Sequence, residues 1–114
     1  MTVTAHGPGL SSSRGARIVI LERPGCHLCE DASRVVHALA AELGEEVEHT
    51  NIENDDALAR RWSLEIPVIA VDGAVVSVYR ANRAELRAAL TRSRGRRRLA
   101  AALARLGGRK NRRP

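Results

Sequence analysis

The chain has 114 residues, with no Phe, one Trp and one Tyr, so one modest core built from Val, Ile, Leu and Ala is expected. Its longest apolar run, Leu99–Ala104, is too short to span a membrane. The net charge of +6 is uneven: Arg92–Pro114 holds ten basic residues and no acid, whereas Met1–Thr91 holds nine against all 13 acids.

Residues 1–16 are rich in Gly, Ser and Thr and lack periodicity, so a flexible leader is expected there. They contain no apolar core of a secretory signal, which points to a cytoplasmic protein. His6 reads as a solvated side chain. Arg17–Glu22 is a β-branched and Leu run that predicts a strand buried on both faces. Pro24-Gly25 ends it. From Cys26 to Leu43, apolar residues at Leu28, Ala32, Val35, Val36, Leu39, Ala40 and Leu43 predict a helix, with Gly44 as its stop. A strand and a helix of this length invite a second, parallel strand, placed at Val47–Ile52.

Asn54 is expected to cap a short helix that buries Leu58 and Trp62. Ile66–Val71 predicts a strand, Asp72-Gly73 a two-residue hairpin, and Ala74–Tyr79 the returning strand. Asn82 and Glu85 resemble a capping box, opening a helix with Leu86 and Leu90 inside. The predicted order over residues 17–91 is β-α-β-α-β-β-α. That is an α/β fold with a four-stranded mixed sheet and helices on both faces.

The only two cysteines, Cys26 and Cys29, sit where the first strand gives way to a helix. In a cytoplasmic protein such a pair points to catalysis or metal binding over a structural disulfide. Unpaired N–H groups at a helix start favour an anion, so Cys26 is the expected nucleophile. Cys29 lies one turn on, within disulfide reach, and is the expected resolving thiol. Arg23 and a protonated His27 favour the Cys26 thiolate, whereas Glu22 and Glu30 oppose it. His27 is either a redox tuner or an exposed helix-start side chain. An iron–sulfur or metal module is the alternative, but two cysteines supply only half of a Cys₄ site. His37 and His49 read as surface or half-buried side chains, so no metal site is assigned. Trp62 reads as core.

With those features in place, residues 17–91 resemble the thioredoxin superfamily and, within it, the glutaredoxin-like proteins. The matching features are Ile18–Leu21, then Cys26-His27-Leu28-Cys29 opening a helix, then Ile66-Pro67-Val68, the hairpin and a final helix. The resemblance implies a thioredoxin-like fold and a cis bond before Pro67. It implies a substrate groove drawing on Pro24, Ile66, Pro67 and Tyr79, with Ile66 offering backbone groups to an extended substrate. It also implies a disulfide oxidoreductase with no bound cofactor, acting as a monomer on protein or small-thiol disulfides with a low-molecular-weight thiol as co-substrate. The stretch Val78–Asn82 lacks the Gly-Gly-x-Asp element that holds glutathione in such proteins, so glutathione is not singled out.

Residues 92–114 form a basic tail. Leu99, Leu103 and Leu106 suggest a short amphipathic helix closed by Gly107-Gly108. Nucleic acid, an anionic surface or an acidic partner would suit it, and a non-catalytic adaptor would work through it. No aromatic residue is interleaved for base stacking, and a solvated tail is the preferred reading.

Overall fold

The computed structural model describes residues 9–111, with side chains described over 9–92 and, further on, at 99 and 102–105. His6 and the rest of the first eight residues lie outside the described residues. The elements are β1 (Ile18–Glu22), α1 (His27–Leu43), β2 (Val47–Asn51), a 3₁₀ turn (Ile52–Asn54), α2 (Asp56–Trp62), β3 (Val68–Val71), β4 (Ala74–Val78) and α3 (Arg83–Asn111). The sheet order is β2-β1-β3-β4. β1 and β2 are parallel, and β3 is antiparallel to both β1 and β4. This is the expected four-stranded mixed sheet.

Alternation along β1 divides the core in two. Ile18 and Ile20 face one side, where α1 and α3 cover them with Val36, Leu39, Leu86 and Leu90. Val19 and Leu21 face the other, against Leu58 and Trp62 of α2. Helices therefore flank both faces, as expected. The first turn of α1 departs from the expected register. Cys29 is buried there, while Leu28 is 51% exposed.

Two local readings are corrected. The cap of α2 is Asp55, whose extended backbone lets its carboxylate accept from the N–H groups of Ala57 (2.8 Å) and Leu58 (3.3 Å). Asn54 is taken up by the 3₁₀ turn, which Asn51 caps. The leader expected over 1–16 is docked from residue 9 onward. Leu10 is buried beside Leu58, and Ser12 and Ser13 hydrogen-bond Glu48. Gly9 permits this approach, because a Cβ there would lie 2.6 Å from Leu58 Cδ2.

The hairpin at Asp72-Gly73 forms as expected, both residues taking positive φ. β4 carries a bulge: Ile69 faces Ser77 and Ala70 faces Val75, which leaves Val76 without an opposite partner. The bulge puts Val75 and Val78 on the Cys29 side of the sheet and Val76 on the other. Asn82 caps α3 through the Glu85 N–H at 2.9 Å. α3 runs through the basic segment without a break, and Gly107-Gly108 lies inside it, not at its end. Among the described residues, no helix is long and apolar enough to cross a membrane.

At the end of the sheet remote from the cysteines, Arg17 is only 8% exposed. Its guanidinium bonds both carboxylate oxygens of Asp72 (3.2 and 3.1 Å), Glu45 (2.7 Å) and the Leu90 carbonyl (3.0 Å). One side chain thus joins β1, the loop before β2, the hairpin and α3.

Candidate active site

Pro24 and Gly25 turn the chain between β1 and α1. Gly25 takes φ +75°, which a Pro-Gly turn requires of its second residue. The turn delivers Cys26 as the N-cap of α1 in an extended conformation. Cys26 Sγ accepts the Cys29 N–H at 3.2 Å. A helix-start donor therefore points at this sulfur. Cys26 is half-buried, and both thiols are free.

Cys29 is different. It is 3% exposed and packs with Ile52, Leu58, Trp62, Ile66 and Val68. Burial, then its hydrogen bond with Cys26, pushes its thiol up to about 12, against a smaller opposing effect from the Arg23 backbone. Two results are expected. At neutral pH, iodoacetamide modifies Cys26 at least about tenfold faster than Cys29, read by peptide mass mapping. Because the native state holds Cys29 protonated, that stabilisation is present below pH 9.0 and is lost as pH rises toward about 12. Denaturation midpoints should therefore fall through that window in the wild type, and less in Cys29→Ser.

A groove of about 380 Å³ opens beside the dithiol. It is lined by Glu22, Arg23, Pro24, Gly25, both cysteines, Glu30, Ser33, His49 and Asn51. Its rim is held by a chain of contacts. His49 Nδ1 is 3.0 Å from Glu22 Oε2, and His49 Nε2 is 2.7 Å from His37 Nε2. The two imidazoles stack with centroids 5.0 Å apart. His37 and His49 both lie at the surface, as expected, and their contact ties α1 to β2. Among the described residues, no group of three or more His, Cys, Asp or Glu is placed to hold a metal ion.

The remaining sequence-derived candidates divide by position. Arg23 and Pro24 line the groove, whereas His27 is 96% exposed and lies 3.8 Å from Glu30. Ile66 packs in the cluster that holds Cys29, and the Ile66-Pro67 bond is cis. Tyr79 donates its N–H to the Pro67 carbonyl at 2.8 Å. Ile66, Pro67 and Tyr79 do not line the groove and lie toward the β4 side of the dithiol. Sequence reasoning did not single out Ser33 and Asn51. Ser33 is one helical turn beyond Cys29, a spacing that was available. Asn51 and His49 depend on the pairing of β1 with β2, which no local pattern reveals.

The family model described as Glutaredoxin-like domain (DUF836) matches residues 17–91, about two thirds of the chain. The chain belongs to the glutaredoxin-like family. Two solved structures are similar to this glutaredoxin-like protein. A crystal structure of an X. campestris protein is 25% identical over 65% of this chain and 95% of that one, with a TM-score of 0.56. A solution NMR structure of a Nitrosomonas europaea protein is 28% identical over 64% of this chain and 88% of that one, with a TM-score of 0.57. The glutaredoxin-like domain thus has a thioredoxin-like fold. No curated protein matches the chain. The family match takes in both cysteines and Pro67, and it leaves out the docked Leu10 segment and the basic part of α3.

Proposed function

We propose that the protein is a dithiol oxidoreductase that reduces protein or low-molecular-weight disulfides. The observation that carries this reading is the asymmetry of the pair. Cys26 is reachable and receives a helix N–H, while Cys29 is buried, protonated and one turn away. The Cys26 thiolate attacks one sulfur of the substrate, forming a mixed disulfide and releasing the first thiolate. Cys29 then passes its proton to the released thiolate and attacks Cys26 Sγ, which breaks the mixed disulfide, closes the Cys26–Cys29 disulfide and releases the second thiolate. Substrate gains two electrons and the dithiol is oxidised. A low-molecular-weight thiol or another dithiol returns those electrons, so no bound cofactor or metal is required. Arg23 in the groove offsets the charge of Glu22 and Glu30, and Ile66 beside Pro67 offers backbone groups to an extended substrate.

The test is to oxidise the protein with a substrate disulfide and weigh it intact. The expected product is a monomer lighter by two hydrogens that contains a Cys26–Cys29 crosslink. A product still carrying two free thiols, or one linked only between chains, would refute the reading.

A further inference from the structure

The second half of α3 leaves the sheet behind. Leu86, Ala89 and Leu90 press its first turns into the core. The helix then runs on to Asn111, about 21 residues past Leu90, or about 31 Å at 1.5 Å per residue. Among the described side chains of this half, Arg92, Leu99, Leu103, Ala104 and Arg105 are exposed, Leu99 at 59% and Leu103 at 57%. Leu99 lies nine residues, about two and a half turns, beyond Leu90, so it stands on the side of the helix opposite the core contact. Leu103 is one turn further on, on the side of Leu99. The exposed pair is therefore not a continuation of the buried face.

Charge narrows what this surface can meet. Residues 92–114 carry ten basic side chains and no acid, whereas residues 1–91 carry nine basic against 13 acidic. The exposed leucines therefore sit in a field of one sign. Two such helices laid together would repel, which sets a second copy aside. A nucleic acid would satisfy the arginines through its phosphates but leave both leucines in water, and no aromatic residue is interleaved to stack on bases. The surface of an anionic bilayer takes both kinds of group, leucines at the acyl boundary and guanidinium groups on the lipid phosphates. Among the described residues no helix can cross a bilayer, so this segment would lie in the plane of the interface. The acidic domain is no obstacle. Salt confines its repulsion to about 8 Å under physiological conditions, well short of the reach of the helix.

We propose that residues 92–111 of α3 are a docking surface for an anionic lipid bilayer, with Leu99 and Leu103 entering the interface and the basic residues around them holding phosphate headgroups. The proposal does not depend on the oxidoreductase reading. The test sediments the full-length protein with phosphatidylcholine vesicles, with and without about one quarter phosphatidylglycerol, at about 150 mM salt. The anionic vesicles should bind at least about tenfold more tightly than the neutral ones. The double variant Leu99→Gln, Leu103→Gln keeps every charge and should bind the anionic vesicles at least about tenfold more weakly. Its Tm should stay within about 2 °C of wild type, because both side chains lie outside the core. Equal binding to both vesicle types, or binding to neither, would overturn the proposal. So would an unchanged affinity in the double variant, since charge alone would then account for the binding. A larger fall in Tm would place the leucines in the fold and overturn it too. Duplex DNA of random sequence bound more tightly than the anionic vesicles, and equally by the double variant, would assign the helix to nucleic acid instead.

Discussion

Replacing Cys26 with Ser is expected to abolish disulfide reduction, lowering turnover by at least about a thousandfold, while Cys29→Ser stalls after one event. The two sulfurs are not equivalent. Cys26 sits at the mouth of the groove with the Cys29 N–H aimed at it, and a hydroxyl there is a far weaker nucleophile. Cys29 is shielded by Ile52, Trp62 and Ile66, so it meets only a sulfur already bonded to Cys26. Cys29→Ser should therefore release one substrate thiol and retain the other on Cys26, visible as an intact-mass increase that a strong reductant reverses. If the adduct instead forms on Cys29 in the Cys26→Ser variant at the wild-type rate, the assigned roles are exchanged. Cys26→Ser leaves the buried core intact, so its Tm should stay close to wild type.

A second large effect is expected at the opposite end of the sheet. Arg17→Ala should destabilise the domain by about 2–4 kcal/mol, since removing one member of a buried ion-pair group leaves its partners poorly compensated. On a domain of this size, that lowers Tm by roughly 10 °C or more. The guanidinium meets Asp72 with two nitrogens and Glu45 and Leu90 besides, and its bond to Asp72 raises its own pKa. Lysine has a single ammonium and cannot reproduce that fork, so Arg17→Lys should recover only part of the loss. Thermal denaturation of the two variants measures both effects. A Tm within 2 °C of wild type for Arg17→Ala would show, roughly, that the exposed side of Asp72 already dissipates the interaction.

Much of the architecture follows from local signals. The run Ile18–Leu21, the stop at Gly44 and the turn at Asp72-Gly73 each depend on a few neighbouring residues, and each lies where local chemistry puts it. The dithiol is legible for the same reason, because its spacing and its place after a strand are both local. Features made by distant contacts are not. Leu10 is one apolar residue in a Gly- and Ser-rich segment, so nothing beside it announces burial against Leu58. Leu28 fits the helical period as well as Cys29 does, and only packing against α2 and β3 decides which of them is buried. The groove needs β2 placed beside β1 before Asn51 and His49 can meet the cysteines. Asp55 replaces Asn54 as the α2 cap because Asn54 is taken into a 3₁₀ turn that has no clear signature in sequence.

The extra residue at Val76 makes β4 a strand with an arithmetic of its own. An uninterrupted strand changes face with every residue, so its two ends are locked in phase by length alone. Here Val75 and Val78 lie on the same face although their positions differ by three, an odd step. A single deletion between Ala74 and Val78 could be absorbed by closing the bulge. A single insertion has no such reserve, and it would send Ser77 toward the cysteines in place of Val78 and swing Tyr79 off Pro67. Length variation in this segment should therefore be lopsided, with losses of one residue tolerated and gains admitted only in pairs.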